Sequence, residues 1–284
     1  MRDLITSLII IIIAAFFSWA GSQGAPDLFG FPGLIFLAAI GFIIHWIIFI
    51  PSAVFKTEKF YDITGTLAYI VMIFVSVIST QTLFFRSKIV SLLIFIWAVR
   101  LGVFLFIRVL NNGEDKRFHE AKNSFSKFFM WFSMSALWVF LTTANALTLI
   151  LNNIDLKGDA YFIIGLVIWI IGFSFEVISD EQKRRFRNTE GNQEKFITIG
   201  LWSISRHPNY FGEILLWIGM AVISFPTLIG WQYATLISPI FVIILLTKAS
   251  GINLLEASAD KKWGHLSEYK DYKDKTSVLV PFIK

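Results

Sequence analysis

Eight stretches of this chain are apolar enough to enter a bilayer, and that feature limits its possible folds more than any other. A helix rises about 1.5 Å per residue, so ~20 apolar residues, or ~17 at the short limit, bridge the hydrocarbon core. By that measure the spans are Leu4–Ala20, Leu34–Ile50, Ile63–Phe85, Ile89–Leu110, Phe128–Leu151, Ala160–Ser179, Asn209–Phe225 and Trp231–Ser250. The Phe225–Pro226 step suits the end of the seventh, since proline removes a backbone donor. Thirty phenylalanines and ten tryptophans, with only 16% charged residues, are more apolar surface than a soluble domain of this length can hide. The expected architecture is all-α: a polytopic membrane helical bundle of about eight transmembrane helices, forming a single membrane domain over residues 1–284.

The first run has Arg2 ahead of it and Ser18-Trp19-Ala20 at its end, a pattern that a cleaved signal peptide also shows. Its apolar stretch is long for such a segment, so a retained helix is expected, followed by a polar loop with glycine and proline over Gly21–Gly33.

Lysine and arginine set orientation, because short loops rich in them stay on the cytoplasmic side. With the N-terminus inside, 20 of the 25 cations fall on inner segments. The outer loops hold Arg86, Lys88 and Lys157, while Arg100 and Arg108 lie within a span. Both termini are therefore expected in the cytoplasm. The long inner segments are Ser179–Ser205 and the tail Ser250–Lys284, whose aromatics and lysines suit the lipid interface.

Chemistry-bearing residues concentrate in Gly200–Glu213, GLWSISRHPNYFGE. Pro208 fits a first helical turn, so the seventh helix is expected to begin here. At 100° per residue Arg206, Asn209, Tyr210 and Glu213 then share one face, with His207 beside them. A helix start suits a phosphate, Arg206 could add a bidentate contact, and Glu213 could accept from ribose or amide groups. The plainer alternative is an interfacial anchor in which Arg206 pairs with Glu213. Upstream, Glu176, Asp180, Lys183 and Arg187 form a second stripe, with Arg184 and Arg185 as either a phosphate rim or a positive-inside anchor. Glu176 lies one turn inside an apolar run and must be paired or face a polar cavity. Arg100 near mid-membrane also needs a partner, with Glu176 or Asp62 the candidates, and Asp62 otherwise reads as a helix cap.

There is no cysteine, and four well-separated histidines form no metal-ligand pair, so no metal is expected. His45, alone on an apolar helix, reads as a hydrogen-bonded core residue. Neither GxGxxG nor GxxxxGK[ST] is present, so a nucleotide would need a membrane-embedded pocket. Nucleic acid is not an expected partner; a lipophilic small molecule and membrane lipid are.

These residues resemble a known family. FEVISDEQKRRFR followed by GLWSISRHPNYFGE is similar to the C-terminal catalytic region of the steroid 5α-reductase superfamily, especially its bacterial membrane members. The similarity extends to Trp97–Phe118, Lys59–Gly65 and Ser250–Pro281, about four-fifths of the chain, with residues 1–33 an additional helix and loop and 59–284 the reductase-like core. It implies an NADPH pocket open to the cytoplasm, with Asp180, Arg187, Asn209, Tyr210 and Glu213 on the cofactor and Arg206 and His207 adjacent. Arg184 and Glu114 are weaker carry-overs. The family's catalytic glutamate falls near Asp62 and its catalytic tyrosine near Arg100, and a cofactor-binding asparagine falls at Glu176; all three differ here. The implied activity is reduction of a C=C bond in a sterol- or isoprenoid-like lipid. The shorter RHP-x-Y-x-G pattern also occurs in isoprenylcysteine carboxyl methyltransferases, so an S-adenosylmethionine-dependent methyltransferase is the alternative, and a non-enzymatic membrane protein a third.

Overall fold

The computed structural model describes residues 2–112, 118–249 and 251–283, with backbone alone for 108–112 and 249. Arg108 therefore has no described side chain, and Glu114 lies outside the described residues. The helices are α1 (Arg2–Ser22), α2 (Gly33–Val54), α3 (Tyr61–Ile78), α4 (Phe85–Asn112), α5 (Phe125–Asn152), α6 (Ala160–Asn188), α7 (Pro208–Ser224), α8 (Ile237–Ile244), α9 (Ile252–Trp263) and α10 (Ser267–Lys275). Eight segments are long and apolar enough to cross a membrane: α1 to α3, α4 as far as Ile107, α5, α6, Pro208–Thr227 and Gly230–Trp263. The chain is a multi-pass helical membrane protein.

Three boundaries differ from expectation. The third run does not reach Phe85; α3 stops at Ile78 and Phe85 opens α4. The reason is polar: the Asn153 side chain accepts from Phe84 N at 2.9 Å and donates to Thr82 O at 2.7 Å, which fixes a turn there. The loop after α1 contains a two-residue antiparallel hairpin, Asp27–Leu28 with Phe31–Pro32, turned by Phe29 and Gly30 at φ 52° and 82°. The eighth run is composite, with a 3-10 segment (Gly230–Leu236) before α8 and a π turn (Leu245–Ala249) after it.

The chain divides into two compact units. The first, Met1–Asp159 with Ser224–Ser238, is built around α5, which is 83% buried over its apolar window and packs against α1, α2, α3 and α4. Its small residues, among them Ser133, Ala136, Ala144 and Ala146, let neighbouring backbones approach, which is how helices associate without a hydrophobic driving force. Thr142 adds polar ties, taking the Tyr69 hydroxyl at 2.8 Å on its side chain and the Ser238 hydroxyl at 2.5 Å on its carbonyl. At one end Phe49, Phe118, Phe128 and Phe132 form an aromatic core with Tyr61 against it. At the other, the Asn152 amide donates to Gln232 Oε1 at 2.7 Å and Thr227 O at 2.8 Å. His45 is the hydrogen-bonded core residue expected: Nδ1 donates to Gly41 O at 2.7 Å, and Nε2 lies 3.1 Å from Ser135 Oγ.

The second unit, Ala160–Ile223 with Pro239–Lys284, holds α6, α7, most of α8, α9 and α10. Its organising feature is a glycine seam. Gly165 faces Gly219 and Gly172 faces Gly212, so α6 and α7 run antiparallel with backbones in contact. A Cβ on Gly172 would lie 2.6 Å from Gly212 O, and one on Gly165 would lie 2.6 Å from Gly219 O.

Candidate functional site

The polar residues of interest in the second unit stand where the glycine seam ends. One turn beyond Gly172, Glu176 is buried against Gly212; a Cβ on Gly212 would lie 2.6 Å from Glu176 N. One further turn along α6, Asp180 is 7% exposed and its Oδ1 accepts from Asn209 Nδ2 at 3.3 Å. A carboxylate beside the first turn of α7 also faces the positive end of the helix dipole. Asn209, Tyr210 and Glu213 are half-buried on adjoining turns of α7.

Pro208 opens α7 as expected, but Arg206 precedes the helix and is not on its face. Its partner is not Glu213. Arg206 Nη2 lies 3.0 Å from Glu256 Oε2 and its Nε 3.3 Å from Oε1, while Nη1 donates to Lys273 O at 2.9 Å and Thr276 O at 3.3 Å. The same Glu256 receives His207 Nε2 at 2.9 Å, and Lys273 Nζ lies 3.5 Å away. The Tyr210 ring stacks on His207 at 5.8 Å. Burial, the largest influence, pushes the His207 imidazole below its ordinary value; the Glu256 hydrogen bond opposes this, and the Lys183 and Arg206 charges reinforce it. A neutral imidazole donating to an ionised carboxylate follows.

Backbone contacts complete the grip. Arg206 N donates to Ser277 O at 2.9 Å, and the Ser205 hydroxyl donates to Leu279 O at 2.8 Å. The Trp202 indole donates to Ser179 O at 3.0 Å, Leu201 N donates to Gln182 Oε1 at 2.9 Å, and Tyr272 OH donates to Trp202 O at 2.6 Å. The tail aromatics are thus not scattered interfacial anchors. Trp263, Tyr269 and Tyr272 close around Phe196 with ring centroids 5.1–5.8 Å from it, and Trp263 Nε1 donates to Glu194 O at 2.7 Å. Burial pushes both tyrosine hydroxyls up, so they remain neutral donors.

The basic rim separates into two kinds of residue. Arg184 holds Glu181 with both arms at 2.7 and 2.8 Å, and Arg185 reaches the same carboxylate at 2.5 Å. Lys183 lies over the Trp202 ring at 4.5 Å, and Arg187 is exposed at the end of α6. Asp62 and Arg100 belong to the first unit. Asp62 is the second residue of α3 and half-buried; the N-cap is Phe60, without a side-chain cap, so Asp62 does not take the capping place. The Arg100 guanidinium lies 5.3 Å from the Phe104 ring centre.

Two features went unread in the sequence. The glycines at 165, 172, 212 and 219 are seven apart on each helix, a small-residue spacing visible in principle. Glu256 offers no local signal, because Arg206 and His207 lie 50 and 49 residues upstream.

Together these features define a multi-pass membrane protein whose polar site sits at the end of a tightly closed helix pair. A family model described as "Protein of unknown function (DUF1295)" matches residues 48–276, and the chain belongs to that family. Among curated proteins it is 28% identical over 129 residues to 3-oxo-5-alpha-steroid 4-dehydrogenase 1 of Bos taurus, covering 45% of each chain. It is 31% identical over 124 residues to the steroid 5-alpha-reductase DET2 of Gossypium hirsutum, covering 43% of this chain and 42% of that one. A very-long-chain enoyl-CoA reductase of Dictyostelium discoideum is 37% identical over 71 residues, 25% of this chain and 23% of its own. These matches span less than half the length of the relatives, and with the family match they place the chain in the steroid 5α-reductase superfamily, as its motifs led us to expect.

Proposed function

We propose that this chain is an oxidoreductase that uses NADPH to reduce a C=C bond conjugated to a carbonyl in a lipophilic, sterol- or isoprenoid-like substrate. The carrying observation is the Asp180–Asn209 contact at the end of the glycine seam, in a chain whose relatives are named for steroid and enoyl reduction. Those names share one chemistry, a double bond next to a carbonyl. The donor set suits a dinucleotide: Asp180 and Glu213 can accept from ribose hydroxyls or an amide, and Asn209 can both donate and accept. Lys183 and Arg187 supply cations for phosphates, while Arg206 and His207, held by Glu256, set where α7 begins.

When bound, NADPH supplies the hydride for the β-carbon. The carbonyl oxygen then needs a donor as negative charge develops on it, and the family resemblance, by sequence position alone, assigns that part to Asp62 or Arg100. On the strength of the lysine and arginine asymmetry we place the site on the cytoplasmic side, and the resemblance to bacterial members of the superfamily points to a bacterial inner membrane.

The experiment is thermal unfolding of the purified protein in detergent with NADPH, NADH or S-adenosylmethionine. At a hundredfold excess over Kd, ligand binding adds about 2.7 kcal/mol, roughly 5 °C or more for a chain of this size. NADPH is expected to raise the midpoint. A rise with S-adenosylmethionine alone would overturn the reductase and favour the methyltransferase.

A further inference from the structure

The first unit carries a groove that the proposed reaction does not use. Near Gly102 the helices α3 and α4 touch, since a Cβ there would strike the Thr66 side chain. Toward the end where α3 stops and α4 starts they leave an open groove of about 340 Å³. Ile70, Ile73, Phe74 and Val77 line it from α3, and Leu92 and Phe95 from α4, with Lys88 also on its wall. Phe74, Leu92 and Phe95 are 60%, 52% and 44% exposed, as side chains facing lipid would be.

Lys88 distinguishes this groove from an ordinary lipid-facing furrow. Two residues earlier, Arg86 is buried and paired with Asp159 at 2.8 Å. Lys88 is exposed, and among the described residues it has no acidic partner. An apolar groove in a bilayer gains little by taking up a chain, because the surrounding lipid is equally apolar. Selectivity must come from the cation. From Ile70 to Val77 the helix rises by seven steps, about 10 Å, enough for the upper part of an acyl chain.

We propose that this groove seats one acyl chain of an anionic phospholipid whose phosphate lies against Lys88. A zwitterionic lipid presents the same phosphate with its own cation attached and competes less well for the ammonium. A basic residue near the membrane surface contributes an attraction that corresponds to about a fivefold preference.

The test is native mass spectrometry of the full chain released from nanodiscs containing equal phosphatidylglycerol and phosphatidylcholine. The unaltered protein should retain a phosphatidylglycerol in about fivefold excess over phosphatidylcholine. Lys88→Ala should bring the ratio near one, and Ile70→Trp, at a half-buried position on the groove wall, should do the same by filling the groove. Equal retention of both lipids by the unaltered protein would overturn the proposal, as would an unchanged ratio in Lys88→Ala. A preference lost in Lys88→Ala but kept in Ile70→Trp would place the lipid on the surface and refute the groove.

Discussion

Gly172 of α6 and Gly212 of α7 meet backbone to backbone, so that a Cβ on either would lie within 2.6 Å of the other's carbonyl oxygen. That contact sets the distance between the helices and therefore the reach from Asp180 to Asn209. Gly212→Ala should force the pair apart. Overpacking of this kind costs roughly 1–3 kcal/mol. Thermal unfolding in detergent should show the loss, with NADPH binding weakened alongside; unchanged stability would mean that the seam is not tight.

Glu256 joins Arg206, His207 and Lys273, three groups from two other segments. Glu256→Gln keeps the shape but leaves the Arg206 charge poorly matched. Hydrogen bonds to charged groups contribute about 1.5–3 kcal/mol, and a loss in that range is expected. The segment from Lys261 to Lys275 should become more sensitive to trypsin, and unaltered digestion would argue against the grip described above.

His207 makes stability depend on pH. Its folded value lies below the ordinary 6.5, so between the two values the unfolded chain binds a proton that the folded chain refuses. The contribution is complete above pH 6.5 and shrinks as pH falls below it. Burial is the main cause, the Lys183 and Arg206 charges add to it, and the Glu256 carboxylate opposes it. A midpoint measured from pH 7.5 to 5 should fall more steeply for the native chain than for His207→Gln; identical slopes would remove this role.

Much of the fold was legible because membrane spans depend on composition averaged over twenty residues, which a single sequence displays directly. The positions of all eight spans follow from apolar length, and α7 begins at Pro208 as its chemistry required. The Phe85 boundary was not legible, because Asn153, 69 residues away from Phe84, decides it. The site divides in the same way. Asp180 and Asn209 sit on helices whose stripes could be counted, whereas the partner of Arg206 depended on where the tail folds. A lone glutamate in Leu254-Leu255-Glu256 carries no such information.

Arg187 stands exposed at the end of α6, and on the proposed reading it meets the 2′-phosphate. Arg187→Ala should weaken NADPH about tenfold, in keeping with ~1.5 kcal/mol for a charged contact, and leave NADH nearly unchanged. Competition titrations with the two cofactors would show it, and equal losses would assign Arg187 to the surface.

The central claim is that Asp180, Asn209 and Glu213 together hold the cofactor. Isothermal titration of NADPH into the purified protein and into Asn209→Ala examines it most directly, with circular dichroism to show that both remain folded. The account predicts saturable binding to the unaltered chain and at least a tenfold weaker Kd after the substitution, since the half-buried Asn209 amide and its contact with Asp180 are lost together. Equal affinity in the two proteins, both folded, would contradict it.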